Sequence, residues 1–276
     1  MLSINCRGNL LTFDVPRIMG ILNVTTDSFF AESRRFSEQD IASHVQYMLE
    51  NGADIIDVGA CSTRPDSKPV EEAEEVERLK KSLPIIRRLV PENIPISVDT
   101  FRSGVAKMCV EKYGVTLVND ISGGKADKEM FRTVAQLNVP YVLTYNQAMD
   151  EKMPAMTQML PELARQVAQL REHGVNDVII DPGFGFQKTL GQNYDVMNRL
   201  ELLHELQCPL LVGISRKSMI HKLLHITPDQ ALNGTTVLHT VALQKGAHIL
   251  RVHDVREAVE CVRIVEALNG SPGNSN

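Results

Sequence analysis

The sequence predicts an α/β protein built as a single (β/α)8 TIM barrel. Eight short apolar runs recur along the chain, and eight segments with helical periodicity alternate with them. Apolar runs that are continuous rather than alternating are typical of strands buried on both faces. Strand–helix alternation without a linker is typical of a closed parallel barrel, which needs about 250 residues and suits a chain of 276. A doubly wound open sheet is the alternative, but no Gly-x-Gly-x-x-Gly motif follows the first run.

The eight predicted strands are apolar runs that each end in polar residues. In chain order they cover residues 18–22, 55–56, 96–98, 116–118, 141–143, 178–180, 210–214 and 248–250. The predicted helices lie between and after them and cover residues 38–51, 70–89, 102–113, 128–137, 157–173, 192–206, 230–245 and 255–268. Glycine, the usual helix-end residue, follows several of these helices at Gly52, Gly114, Gly174 and Gly246.

Four segments flank or interrupt this alternation. The residues before the first strand predict a short N-terminal hairpin that turns at 7–9 and closes the bottom of the barrel. The loops at 25–37 and 61–69, after strands 1 and 2, are long, and we expect them to act as lids over a site. Residues 1–270 are predicted to form one barrel domain, whereas 271–276 have the composition of a disordered tail.

The composition argues against several classes of protein. A formal net charge of -5, with no basic stripe, argues against a nucleic-acid surface. No apolar run has the length of a signal-peptide core or of a membrane span, so we expect no membrane contact. The five cysteines are scattered without a Cys-x-x-Cys pair, which excludes a zinc ribbon and disfavours a disulfide framework. We therefore expect a cytoplasmic protein that binds small molecules.

Polar side chains collect where the predicted strands end. They are Asp57, Asp99, Asn119, Asp120, Asn146, Asp181, Lys217, Arg251 and His253. The carboxyl ends of barrel strands meet at one rim, where barrel enzymes build their active sites, so we expect these residues to gather there. For any single residue the alternative is a helix cap, because Asp and Asn are favoured caps. We expect structural roles for Asp57 and Asp120.

This group of side chains suits a flat heterocycle with an amide-and-amino edge. A carboxylate accepts two adjacent N–H groups of such an edge, amides and a lysine bind its ring nitrogens and carbonyl, and a guanidinium stacks on its face. Asn23 offers one oxygen to Mg²⁺, for which a phosphate-bearing ligand must supply most of the other oxygens. Thr63 and Arg64 offer a hydroxyl and a guanidinium for phosphate, and His253 lies where barrel enzymes commonly bind phosphate.

Eight motifs, in order along nearly the whole chain, carry a resemblance to a known family. They are MGILNVTTDSF at 19–29, DIIDVG at 54–59, STRP at 62–65, ISVDT at 96–100, VNDISG at 118–123, DPGFGFQK at 181–188, LLVGISRKSMI at 210–220 and RVHDV at 251–255. In these motifs the chain resembles the dihydropteroate synthases, pterin-binding enzymes of folate biosynthesis. Eight ordered matches at the predicted barrel positions make a chance resemblance not credible.

The resemblance implies a transferase that joins 6-hydroxymethyl-7,8-dihydropterin diphosphate to 4-aminobenzoate and releases diphosphate. The residues that it assigns to the pterin are Asp99, Asn119, Asp181, Lys217 and, packed against the ring, Arg251. Those that it assigns to diphosphate and Mg²⁺ are Asn23, Thr63, Arg64 and His253. Phe186 and Ser218 would border 4-aminobenzoate.

The implied reaction is a dissociative, SN1-like substitution. Diphosphate leaves the pterin methylene as Mg²⁺, Arg64 and His253 neutralise its growing charge, and the arylamine attacks the remaining cation. Asp27 and Phe29 in the first loop would exclude water that competes for this cation. With Lys217 at the pterin, the catalytic roles fall on Asp27, Phe29, Arg64 and Lys217. The resemblance also implies a homodimer formed through the late helices, and competition between sulfonamides and 4-aminobenzoate.

Three departures from the family pattern are visible. Thr26 replaces the usual proline of the first loop. Ala60 and Cys61 precede the Ser-Thr-Arg-Pro motif and Asp66 follows it, where the family usually has glycines. The fifth strand ends in Leu143-Thr144-Tyr145-Asn146 instead of a Met-His-Met type sequence. We expect the pterin contacts to be retained and the negative charge of Asp66 to alter the affinity for 4-aminobenzoate.

Three other kinds of protein fit part of this pattern. A pterin-binding paralogue or a methyl-transferring folate-binding barrel shares the pterin carboxylates. The methyl-transferring enzymes have no need of Arg64 and His253 at a diphosphate site, and a paralogue that only binds would show no turnover. A Schiff-base aldolase centred on Lys217 predicts that borohydride traps the substrate on that lysine.

Overall fold

The computed structural model describes residues 2–25, 38–61 and 70–270, which form a hairpin and an eight-stranded sheet with surrounding helices. The lids predicted after the first and second strands fall almost entirely outside these residues, and so does the predicted tail at 271–276. The extent of the single domain at 1–270 stays a prediction.

The N-terminal hairpin is present as predicted. Its strands β1 (Ser3–Cys6) and β2 (Asn9–Thr12) pair antiparallel. The turn places Arg7 at a φ of 55° and Gly8 at 101°, and glycine adopts such angles without steric cost. The chain therefore reverses within two residues and lies against one end of the barrel.

Eight parallel strands form the barrel. They are β3 (Arg17–Asn23), β4 (Ile55–Gly59), β5 (Ile96–Asp99), β6 (Leu117–Asp120), β7 (Tyr141–Thr144), β8 (Val178–Asp181), β9 (Leu211–Val212) and β10 (Ile249–Val252). Neighbours follow the order β8-β7-β6-β5-β4-β3-β10-β9. A parallel bridge between Ile180 and Leu210 brings the two outer strands together, so the sheet is nearly closed. The predicted barrel is confirmed.

Helices surround the sheet. Those of the described residues are α1 (Glu38–Glu50), α2 (Glu72–Leu89), α3 (Ser103–Tyr113), α4 (Met130–Leu137), α5 (Ala155–Glu172), α6 (Leu190–Asn198), α7 (Ser218–Leu224), α8 (Leu232–Gln244) and α9 (Val255–Leu268). In this part of the chain every helix is too short or too polar to cross a lipid bilayer.

The helix predictions needed two corrections. The helix predicted at 192–206 is instead α6 followed by a 3₁₀ segment at Leu200–Leu206, because the chain leaves helical geometry at Arg199, with a φ of -121°. Helix α7 was not predicted, since its seven residues are too few to show helical periodicity.

The interior of the barrel is apolar at its amino-terminal end. One buried cluster joins hairpin residues to inward side chains of the barrel strands, namely Ile4, Cys6, Phe13, Met19, Ile55, Leu117, Val142, Ile179, Leu211 and Ile249. The outward side chains pack against the helices in a second, larger cluster. Because side chains alternate between the two faces of a strand, the residues two positions further along also face inward, toward the carboxyl ends.

Candidate active site

The upper layer of the barrel interior is polar. Its inward positions are Asp57, Asp99, Asn119, Asp181 and Arg251, all within the strands rather than after them. Most of these strands therefore run one to three residues beyond their apolar runs. Asp57, Asn119 and Asp181 are 0%, 2% and 5% exposed, so the polar layer is largely withdrawn from solvent.

Arg251 links two of the buried carboxylates. Its Nε and Nη2 both lie 2.7 Å from Oδ2 of Asp57, and Nη2 also lies 2.7 Å from Oδ2 of Asp99. Burial acts to lower the pKa of Arg251, but Asp57 and Asp99 outweigh it and raise that pKa further. Burial also raises the pKa of Asp99 to about 7, against the effect of Arg251 and with that of Asp57.

Asp57 lies within the polar layer and contacts other members of it, and the structural role expected for it stays a prediction. Its Oδ2 accepts a hydrogen bond from Nδ2 of Asn119 at 3.1 Å in addition to the contacts with Arg251. The predicted strand ended at residue 56, whereas β4 continues to Gly59 and thereby directs Asp57 inward. Asp120 faces outward as a structural residue, and its Oδ2 accepts from the Tyr141 hydroxyl at 2.7 Å.

Asp181 and Lys217 form the opposite side of the polar layer. Oδ1 of Asp181 accepts from the Gly183 backbone N–H at 2.8 Å, and burial raises the pKa of this carboxyl. Nζ of Lys217 donates to the Phe184 carbonyl and lies 4.5 Å from the centre of the Phe186 ring. Burial lowers the pKa of Lys217 to about 8, and the charge of Asp181 opposes this shift.

Lys188 is a further lysine of the site that the sequence analysis did not single out. Its Nζ donates to the carbonyls of Gly183 at 2.8 Å, Tyr145 at 3.2 Å and Phe186 at 3.3 Å. Burial lowers its pKa to about 7. The lysine ties the loop after β8 to the end of β7, and only the folded arrangement brings these carbonyls together.

Asn23 stands at the carboxyl end of β3, beside the polar layer. A Cβ placed on Gly59 would lie 3.2 Å from Oδ1 of Asn23 and 3.8 Å from Oδ2 of Asp99, so the absence of a side chain at Gly59 leaves room for both. Within the described residues, no cluster of three or more His, Cys, Asp or Glu side chains could hold a metal ion. In this part of the chain Asn23 thus offers one neutral oxygen and belongs to no such cluster.

His253 and Ser218 lie at the same rim. Nδ1 of His253 is 3.0 Å from Oγ of Ser215, which fixes the imidazole beside β9. Ser218 begins α7 and is half-buried. Between them, Arg216 adopts a φ of 55° and turns away to pair with Asp254 at 2.8 Å. The basic tetrad at 215–218 thus supplies one cation to the site, Lys217.

The fifth-strand departure lies at the edge of the site. Asn146 belongs to the rim but bonds neighbouring loops, since its Nδ2 donates to the Ile121 carbonyl at 2.9 Å and its Oδ1 accepts from Gln187 at 3.0 Å. Thr144 is buried on the inner face of β7, with its hydroxyl lacking a partner among the described residues. These residues support the loops around the polar layer.

Four predicted site residues, Asp27, Phe29, Thr63 and Arg64, lie outside the described residues, as do Thr26 and Asp66. The ends of the second loop are described. Arg102 donates to the Val70 carbonyl at 2.7 Å and to Sγ of Cys61 at 3.7 Å, and it pairs with the buried Glu75. Burial and Glu75 raise the pKa of the Cys61 thiol to about 12, which disfavours the reactive thiolate form.

The chain is similar to known proteins in both sequence and structure. The sequence profile of a family described as pterin binding enzyme matches residues 19–253. That span begins within β3 and ends at His253, so it covers the other seven barrel strands completely and includes the whole polar layer. Fold and site together define a pterin-binding (β/α)8 enzyme.

Individual relatives narrow this class. Dihydropteroate synthase of Clostridium beijerinckii is 41% identical over 256 residues, covering 91% of this chain and 93% of the relative. The structure of Xanthomonas albilineans dihydropteroate synthase with 4-aminobenzoic acid superposes with a TM-score of 0.89 at 34% identity, covering 98% and 99% of the two chains. The Yersinia pestis enzyme with a sulfonamide drug gives 0.87 at 35% identity, covering 98% and 100%. The chain belongs to the dihydropteroate synthase family.

Proposed function

We propose that the protein condenses 6-hydroxymethyl-7,8-dihydropterin diphosphate with 4-aminobenzoate and releases diphosphate. The observation that carries this proposal is the polar layer at the carboxyl ends of the strands, which brings the acceptors Asp99, Asn119 and Asp181 together with the cations Lys217 and Arg251. Family membership and the ligands of the related structures support the same reaction.

The pterin binds over the polar layer. Asp181 accepts two adjacent N–H groups of the amino-amide edge, because its buried carboxylate gains most from donors that replace lost water. Lys217 serves the carbonyl and a ring nitrogen, while Asp99 and Asn119 accept from the remaining N–H groups. The planar guanidinium of Arg251, held by two carboxylates, packs against the ring.

Diphosphate departs at the mouth of the barrel. His253 stands at the end of β10, where phosphate is commonly bound in this fold, and the sequence assigns Thr63 and Arg64 to the same group. Positive charge there stabilises the leaving diphosphate more in the transition state than in the substrate. Asp27 and Phe29 would keep water from the resulting cation.

Asn23 is the proposed ligand of Mg²⁺. A single amide oxygen fits this ion, which keeps several waters and commonly takes its other ligands from substrate phosphates. When bound, the ion supplies charge neutralisation for the leaving diphosphate. The protein contributes position, because the missing side chain at Gly59 leaves space for the Asn23 oxygen beside Asp99.

The arylamine approaches from the side of Phe186 and Ser218. The Lys217 ammonium lies over the Phe186 ring, which orders this aromatic wall. Aromatic amines are weakly basic and need little deprotonation before attack, so no protein nucleophile is required. A sulfonamide would compete for the same position.

A homodimer in the cytoplasm completes the proposal. The resemblance to the family supports a dimer through the late helices, which expose Leu223, Leu224, Val237, Ile264 and Leu268. All five cysteines are free thiols in the structure, as suits a reducing compartment. Light scattering of the purified protein at micromolar concentration tests the dimer.

Diphosphate release tests the reaction. Release from the pterin diphosphate is measured with and without 4-aminobenzoate, with Mg²⁺ present and with it removed by chelation. We expect release and pteroate formation that depend on the arylamine and on Mg²⁺. Tight pterin binding without turnover would identify a pterin-binding paralogue. Methyl transfer to or from a folate would identify a methyl-transferring folate-binding barrel.

A further inference from the structure

Asp57 is fully buried, and one of its oxygens receives every hydrogen bond that the structure gives its carboxylate. Oδ2 accepts from Arg251 at 2.7 Å and from Nδ2 of Asn119 at 3.1 Å. Oδ1 is buried without a partner among the described residues. The reaction proposed above assigns no role to this residue.

The contact with Asp57 determines which way the Asn119 carboxamide faces. In the opposite orientation the amide oxygen would lie about 3 Å from a carboxylate oxygen, and two acceptors at that distance repel each other. A hydrogen bond to a charged acceptor favours the observed orientation roughly 10- to 100-fold. Asp57 therefore keeps the amide nitrogen toward itself and the amide oxygen away.

The consequence lies in the recognition of substrate. With its oxygen turned away from Asp57, Asn119 is an acceptor, as Asp99 and Asp181 are when their carboxyl groups are ionised. A polar layer made of hydrogen-bond acceptors suits a heterocycle whose edge is rich in N–H groups. It disfavours a heterocycle that carries an oxygen at the same position, because a buried acceptor of the protein would then lack a donor.

We propose that Asp57 is a positioning residue that holds Asn119 as an acceptor and thereby makes the site selective for 2-amino over 2-oxo pteridines. This inference rests on the proposed function and names a determinant of its substrate class. The residue acts through Asn119 and does not touch the ring.

Equilibrium binding of two probes tests the inference. The probes are 6-hydroxymethylpterin, which carries the 2-amino group, and 6-hydroxymethyllumazine, which carries oxygen instead. We expect the wild type to prefer the pterin by at least about 30-fold, since a buried acceptor left without its donor costs that much. Asp57→Ala lets Asn119 rotate and should reduce this preference about tenfold or more.

Asp57→Asn separates orientation from charge. Its carboxamide can still turn an oxygen to Arg251 and Asn119, so the preference should stay within about threefold of the wild type. Asp120→Asn is the matched control, because Asp120 is an equally buried carboxylate that faces outward to Tyr141. Its preference should equal that of the wild type.

Two results would overturn the inference. One is an unchanged preference in Asp57→Ala, and the other is an equal loss in Asp57→Ala and Asp57→Asn, which would mean that charge alone matters. Thermal unfolding establishes that each variant is folded, and Asp57→Val, of similar volume, replaces the alanine variant if that one does not fold. A wild type that binds neither probe would instead refute the proposed function.

Discussion

The two ends of the barrel interior are made by the same strands and have opposite chemistry. At the amino-terminal end, Ile55, Leu117, Ile179 and Ile249 pack under the hairpin in an apolar layer. Two residues further along the same four strands stand Asp57, Asn119, Asp181 and Arg251, which form the polar layer. One step of two residues, about 7 Å, therefore separates packing from recognition.

The difference shows how this fold divides its tasks. The apolar layer stabilises the protein by burial. The polar layer loses hydrogen bonds to water on folding, and hydrogen bonds within the protein replace only some of them. Buried oxygens on Asp57 and Ser97 that have no hydrogen-bond partner within the described ranges mark this incomplete compensation. Substitutions in the two layers should consequently change different properties of the molecule.

Asp181→Ala should show the largest loss of function. The amino-amide edge of the pterin loses its bidentate acceptor, so pterin affinity should fall about 1000-fold. The free energy of unfolding should change little, because the substitution also removes the cost of burying a carboxylate. Calorimetric titration with 6-hydroxymethylpterin measures the first quantity, and urea unfolding measures the second. Near-normal affinity would refute the proposal that the polar layer binds the pterin.

Ile179→Ala, two residues below on the same strand, should show the reverse. Removing this fully buried side chain leaves a cavity and should lower the free energy of unfolding by about 2–5 kcal/mol. The dissociation constant of the pterin should stay within about threefold of the wild type, since the polar layer is untouched. A large loss of affinity without a loss of stability would show that the layers are not separate.

Arg64→Gln tests a second distinction, between the polar layer, which is proposed to bind the pterin, and Arg64, which is proposed to promote the departure of diphosphate. The variant should lower kcat about 100-fold, because the guanidinium acts on charge that develops in the transition state. Affinity for 6-hydroxymethylpterin, which has no diphosphate, should be unchanged. Equal losses in kcat and in pterin affinity would mean that Arg64 does not act on diphosphate.

The pH dependence is the smallest effect. Burial raises the pKa of Asp99 to about 7, so below pH 7 the carboxyl of the free protein takes up a proton and loses its acceptor capacity. The kcat/KM for the pterin substrate should then decrease up to about tenfold per pH unit as the pH falls below 7. Asp99→Asn should have lower activity and no such acid limb. Persistence of the limb in that variant would assign it to another group.

Much of this molecule follows from its sequence, and the departures have physical causes. Continuous apolar runs indicated eight buried strands, and their order along the chain indicated a barrel. They did not show where each strand ends, because a polar residue inside a barrel continues the strand as well as an apolar one. For this reason the sequence placed Asp57 after its strand, whereas it lies inside β4.

Other features depend on contacts between distant segments. Nothing in the sequence distinguishes Lys188 from a surface lysine, because only the folded chain places three backbone carbonyls around its ammonium group. Arg216 stands beside Lys217 in the sequence, yet its left-handed backbone turns it toward Asp254. Helix α7 is too short to give a periodic signal. Sequence motifs indicated the chemistry of the rim but not which neighbours hold it in place.

A crystal structure of the complex with 6-hydroxymethylpterin tests the central claim most directly, since it locates the ring relative to both layers. We expect the ring over the polar layer, with Asp181 and the oxygen of Asn119 accepting its N–H groups and Arg251 against its face. A ring bound elsewhere on the protein, or one facing the amide nitrogen of Asn119, would contradict the account.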